Sequence, residues 1–216
     1  MPAQDPKSKP IRLFVTGIGT DVGKTVASAI LVEALQADYW KPIQAGDLSH
    51  SDTHKVRARV SNAQSVFHPN AFALHTPASP HWAADIDGVQ LTAADIHEPL
   101  TDNALVIEGA GGVLVPINDT ETILDLIQPH YQVVVVSRHY LGSINHTLLT
   151  VQALQQAGKN ILGLIFSGAE HPSTERIILS KTQLPMLGRI DEEPYFDQNV
   201  VRAYAESFQH LTELCR

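Results

Sequence analysis

Short apolar runs alternate along the chain with longer segments in which apolar residues recur at helical spacing. Residues 11–16 form an apolar run of strand length. Residues 24–36 follow with Ala, Ile, Leu and Val on the inner face of a predicted helix. Residues 39–43 and 104–108 are further strand candidates. Residues 132–137 hold four consecutive valines, the pattern of a strand buried on both faces. Residues 143–157 predict a helix that Gly158 stops. Residues 161–166 read as another buried strand, and residues 172–181 and 194–209 as late helices with proline near each start. Strands separated by helices predict an α/β fold with a mostly parallel sheet and helices on both faces. Residues 61–80 carry three prolines and no clear period, so a surface loop near the site is expected there. In such sheets ligands bind beyond the carboxyl ends of the strands, and each motif below follows a strand candidate.

A length of 216 residues fits one domain, expected over 11–216, after a polar N-terminal arm at 1–10 with three prolines. The arm lacks the apolar core of a signal peptide, and no apolar run approaches the roughly 20 residues that span a bilayer. No membrane association is expected, and the expected compartment is the cytoplasm. The single cysteine, Cys215, excludes an intrachain disulfide and a cysteine metal cluster. The net charge is −8 without a basic block, which argues against a nucleic-acid surface. A small anionic ligand is still compatible, because a few N–H groups, one lysine and a cation make a site locally positive. The eleven histidines are scattered and read as solvated or hydrogen-bonded side chains. Gly-x-Ser-x-Gly is absent, so a hydrolase nucleophile elbow has no support.

The strongest chemical signal is Thr16-Gly17-Ile18-Gly19-Thr20-Asp21-Val22-Gly23-Lys24-Thr25. It stands between a predicted strand and a predicted helix, as a phosphate-binding P-loop must. Glycines let several backbone N–H groups face one phosphate, and the helix start adds partial positive charge. Lys24 suits the β- and γ-phosphates, and the Thr25 hydroxyl suits Mg²⁺. Five residues separate Gly17 from Gly23 where the standard loop has four, so this is a variant P-loop.

Two carboxylates stand where a phosphate-bound magnesium would need hard oxygens. Glu108 ends a predicted strand and runs into Gly109-Ala110-Gly111-Gly112, and a buried glutamate requires a charged partner. Asp52 in Ser49-His50-Ser51-Asp52 precedes a helical stretch, where helix N-cap and metal ligand both fit. Lys41 in Lys41-Pro42-Ile43-Gln44-Ala45-Gly46 fits either a ligand crevice or a solvated surface. Leu141-Gly142-Ser143-Ile144-Asn145-His146 leads into a helix. Its free N–H groups suit a carboxylate, and capping by Ser143 fits equally.

The ordered set of these segments, from position 16 to about 146, resembles the dethiobiotin synthetases. The resemblance implies a homodimer with a P-loop NTPase-like fold and Mg²⁺ as cofactor. It implies an ATP-dependent reaction of 7,8-diaminononanoate and CO₂ that gives dethiobiotin, ADP and phosphate in biotin biosynthesis. It further implies catalytic roles for Lys24 and Lys41 and metal ligation by Thr25, Asp52 and Glu108. ATP contacts are implied at Thr20, Asp21, Val22, Gly23, Lys24, Thr25, Asp52, Glu108, Gly109, Ala110, Gly111 and Ser167. Substrate contacts are implied at Lys41, Ala45, Gly142, Ser143 and Asn145, the last three receiving the substrate's carboxylate tail.

The chain departs from the family in three places. Ala45 stands where a Ser or Thr hydroxyl is common, with Gln44 or a backbone N–H as the available substitutes. Ser167-Gly168 stands where many members carry Asn-Asp to read adenine, and Ile190-Asp191-Glu192-Glu193 replaces an apolar base-binding stretch. Weaker discrimination among nucleoside triphosphates is therefore expected. The alternative reading is a partitioning-type P-loop switch ATPase. Such proteins carry a lysine near the start of the loop, and residues 16–22 hold none.

Overall fold

The computed structural model describes residues 10–211. The expected N-terminal arm, apart from Pro10, and Cys215 lie outside the described residues. A six-stranded parallel sheet forms the centre. In chain order its strands are β1 (Arg12–Gly17), β2 (Asp38–Trp40), β5 (Leu105–Gly112), β6 (Gln132–Arg138), β7 (Asn160–Ser167) and β8 (Met186–Ile190). Their spatial order is β2-β5-β1-β6-β7-β8. A separate parallel pair joins β3 (Ile43–Ala45) to β4 (Phe72–Leu74).

Val133, Val134, Val135 and Val136 of β6 are fully buried, as expected for a strand covered on both faces. The helices are α1 (Lys24–Leu35), α2 (Asp52–Arg59), α3 (Pro80–Asp87), α4 (Ser143–Gln156), α5 (Pro172–Thr182) and α6 (Gln198–Ser207). α1 packs with α2 and α6, while α4 packs with α5. The chain steps from β1 through α1 to β2 in one direction and from β6 through α4 to β7 in the other. Right-handed crossovers in opposite directions put α1 and α4 on opposite faces. The direction reverses beside β1, so a crevice opens where β1 delivers its loop. Residues 27–32 of α1 are buried without a break, which makes it a core helix.

Four sequence expectations are corrected. The strand expected at 39–43 is two strands in different sheets, β2 and β3, broken at Lys41-Pro42 because proline donates no ladder hydrogen bond. The strand expected to end at Glu108 continues through the glycines to Gly112, so Glu108 lies within β5. The loop expected at 61–80 contains β4 and a bridge from Phe67 to Tyr39. Strand β8 and helix α3 had no counterpart in the sequence pattern. β8 is short and carries Gly188, where an added Cβ would lie 2.4 Å from the Phe208 ring. The late helix expected at 194–209 is confined to α6, with Asp197 as its cap.

Candidate active site at the strand ends

The P-loop leaves β1 and enters α1 through a left-handed Gly23 at φ 97°. A Cβ there would lie 2.8 Å from Ser167 Oγ, so conformation and space both require glycine. The loop is pinned from several sides. The Ile18 N–H donates to the Val136 carbonyl (3.1 Å). Lys24 Nζ donates to the Gly19 carbonyl (2.7 Å), and an Arg138 nitrogen donates to the Asp21 carbonyl (3.1 Å). The α1 start has no side-chain cap, so its first N–H groups remain for an anion. Burial lowers the Lys24 pKa to about 8, with Lys41 adding to the effect and Glu108, Asp52 and Asp21 opposing it. A bound polyanion would restore the charged form.

Glu108 is fully buried, and three donors surround it. Thr25 Oγ1 donates to Oε1 (2.9 Å), Lys41 Nζ lies 3.2 Å from the same oxygen, and the Tyr39 hydroxyl donates to Oε2 (2.9 Å). Lys41 Nζ also pairs with Asp52, which Lys55 reaches from its other side at 3.4 Å. Burial works against the Lys41 charge, but Glu108 and Asp52 outweigh it and raise its pKa. Burial likewise opposes the Asp52 carboxylate, and Lys41 and Lys55 prevail, lowering its pKa. Burial, reinforced by Glu108 and Asp52, raises the Tyr39 pKa well above the ordinary phenol value.

These contacts decide the readings that spacing left open. Lys41 is no surface lysine, being only 5% exposed. Ser51 is the N-cap of α2, accepting from the His54 N–H, so Asp52 is not the cap, and its carboxylate stands at the cavity wall beside Lys41 and Lys55. Gln44 is buried and does not line the cavity. Its amide donates one N–H to the Gly46 carbonyl and accepts from the Asp52 N–H. Gly142 caps α4, and Ser143 is the buried first residue of that helix. His50 and His54 stand four apart, but His54 Nδ1 pairs with Ser51 Oγ.

A cavity of about 670 Å³ runs from the P-loop to the ends of β7 and β8. It brings together Thr20, Asp21, Gly23, Lys24, Thr25, Lys41, Asp52, Glu108, Gly111 and Ser167. Val22 instead buries its side chain, and a Cβ on Gly17 would meet it at 2.5 Å. Gly109 packs against the Phe14 ring. Val22, Gly109, Ala110 and Ala45 do not line the cavity, and neither do Gly142, Ser143 and Asn145. Lys55, Arg59, Arg138 and Phe196 line it without having been expected. Lys55 stands one helical turn from Asp52, a usable signal. Arg59 and Phe196 meet through a hydrogen bond across 137 residues, for which the sequence offers none.

Among the described residues no cluster of three or more His, Cys, Asp or Glu side chains is arranged to hold a metal by itself. Thr25, Glu108 and Asp52 supply one hydroxyl and two carboxylates. Such a hard-oxygen set fits a magnesium ion that arrives on phosphates and keeps some of its water.

A family model described as an AAA domain matches residues 11–200. An ATP-dependent dethiobiotin synthetase BioD of Christiangramia forsetii is 60% identical over 200 residues, covering 93% of this chain and 97% of that protein. The protein of the same name from Cytophaga hutchinsonii is 48% identical over 196 residues, covering 90% and 95%. Among solved structures the chain is similar to the cell division ATPase MinD of Pyrococcus furiosus, with a TM-score of 0.58 and 14% identity over 93% of this chain and 99% of that one. A plasmid partition protein of Borrelia burgdorferi bound to AMPPNP gives 0.57 and 10% over 95% and 98%. The structural neighbours establish the P-loop fold. With the family model spanning most of its length and near full-length relatives this similar, the chain belongs to the ATP-dependent dethiobiotin synthetase family.

Proposed function

We propose that the cavity binds Mg·ATP and 7,8-diaminononanoate and closes the ureido ring of dethiobiotin. The observation that carries this reading is the direct link between the P-loop and a second basic centre, through Thr25, Glu108, Lys41 and Asp52. A site for nucleotide binding alone has no need of a buried lysine held by two carboxylates. One substrate amine takes up CO₂ as a carbamate. The carbamate oxygen attacks the γ-phosphorus and ADP leaves, giving a carbamic–phosphoric anhydride. The second amine attacks its carbonyl carbon, the five-membered ring closes, and phosphate departs.

Lys24 and the first N–H groups of α1 neutralise the transferring phosphoryl group. Two Lys41 N–H bonds are engaged by Asp52 and Glu108, and the third is available to the carbamate. Thr25, Glu108 and Asp52 would hold a magnesium ion, which would supply neutralisation of the phosphate charge. The start of α4 in a second copy receives the substrate carboxylate at Gly142, Ser143 and Asn145, in a homodimer. Two features support that arrangement. The α4 start lies outside the cavity, and Tyr140, Leu141 and Ile144 beside it are exposed at 43%, 104% and 37%.

The test is phosphate release from Mg·ATP and bicarbonate, with and without 7,8-diaminononanoate, alongside mass detection of dethiobiotin. Release that requires the diamine and matches product one to one is expected. Release indifferent to the diamine would replace this reading with an ATPase of the partitioning type.

A further inference from the structure

We propose that Tyr39 is a positioning residue for the magnesium-binding carboxylate: its hydroxyl tethers Oε2 of Glu108 and leaves Oε1 turned toward Thr25 and the phosphates. The inference rests on the Mg·ATP reading above and adds a residue that none of the P-loop or carboxylate motifs contains. In the register of β2 on β5, Tyr39 pairs with Val106 and Trp40 with Ile107, so Glu108 lies one step beyond the paired stretch. Tyr39 and Lys41 are two residues apart, and both reach Glu108 from the same side, one through each oxygen.

The two oxygens of Glu108 are in different situations. Oε1 is shared by Thr25 and Lys41, both of which face the cavity and have ligand contacts to make there. Oε2 has Tyr39. The Tyr39 side chain is fully buried and packs against the Phe67 ring at 6.2 Å, so it belongs to the core and does not move with the ligand. The terminal torsion of a glutamate is soft, with broad wells. When Thr25 and Lys41 turn to ligand, the phenol hydroxyl remains as the tether that fixes the carboxylate plane. Without it, Oε2 would be a buried anionic oxygen lacking a donor, and the group would rotate to share Oε1.

The test substitutes Tyr39→Phe, which keeps the ring and its packing and removes one oxygen. Tyr131→Phe is the control. Tyr131 makes the same kind of bond, its hydroxyl donating to Glu98 at 2.8 Å, away from the cavity. Two quantities are measured: the Mg²⁺ concentration for half-maximal dethiobiotin formation at saturating ATP, and Mn²⁺ affinity of the AMPPNP complex by electron paramagnetic resonance. Tyr39→Phe should weaken both by about tenfold, the scale for losing a partner that orients a metal ligand, with the diamine KM unchanged. Tyr131→Phe should leave both at the wild-type value. In a Glu108→Gln background, adding Tyr39→Phe should change Mn²⁺ affinity no further. Values for Tyr39→Phe within about twofold of wild type, an equal shift in Tyr131→Phe, or full additivity with Glu108→Gln would overturn the proposal. The Mn²⁺ measurement needs no turnover. If the wild type formed no dethiobiotin, the functional reading would fall while the role of Tyr39 would still be decided.

Discussion

Lys41→Met isolates the buried charge balance of the site. The substitution keeps an unbranched side chain and removes the ammonium that faces both Glu108 and Asp52. Glu108 has no solvent exposure while the Lys41 ammonium is in place, so losing that cation leaves a carboxylate at the cavity wall with its charge unpaired. Breaking a buried pair by removing one partner costs about 3–5 kcal/mol. Glu108 keeps its bonds from Thr25 and Tyr39, which places the expected loss at the lower end, about 3 kcal/mol. For a domain of this size each kcal/mol shifts Tm by about 2–4 °C, so a fall of about 6–12 °C is expected. Glu108→Gln added to Lys41→Met removes the stranded charge and should recover about 2 kcal/mol of that loss. The assay is urea and thermal unfolding of the wild type, both single variants and the double variant, without nucleotide or divalent metal. Dethiobiotin formation by Lys41→Met should be undetectable. A single variant within about 1 kcal/mol of wild type, together with a double variant no more stable than it, would refute the charge-balance account.

Three further outcomes are expected. Lys24→Ala should lower diamine-dependent phosphate release by about 10²–10³-fold, and undiminished release would remove Lys24 from the phosphoryl-transfer role. The buried Asp38 resists its own burial because the Val66 N–H, Thr101, Asn103 and His68 hold its carboxylate and lower its pKa. That stabilisation is full above the ordinary aspartate value of 3.8 and is lost as pH falls through the lower folded value. Asp38→Asn should therefore flatten the acid limb of a stability–pH curve recorded by urea unfolding, and an unchanged limb would count against it. Ser167 presents a hydroxyl to the cavity, and among the described residues no side-chain amide lines it. ATP, GTP, CTP and ITP should then support turnover with kcat/KM values within about tenfold of one another, while a preference for ATP beyond about a hundredfold would exclude this reading.

Periodicity and motif order were enough to determine the α/β class, the P-loop and most core elements. A helix such as α1 or a strand such as β6 states its burial in its own residues, and Gly-Lys-Thr between strand and helix carries its chemistry locally. What spacing could not decide were the partners of single polar residues, because a charge's role depends on what faces it across the fold. Asp52 fitted a cap or a ligand until Ser51 took the cap and left the Asp52 carboxylate at the cavity wall beside Lys41. Lys41 fitted surface or crevice until the break after β2 buried it against β5. The Gln44 bonds to Gly46 and Asp52 are set by the fold, and the Tyr39 contact to Glu108 spans 69 residues. Local pattern thus determined the scaffold and the phosphate loop. Only tertiary packing decided the electrostatic site, because burial strengthens each charge and its partners come from separate strands.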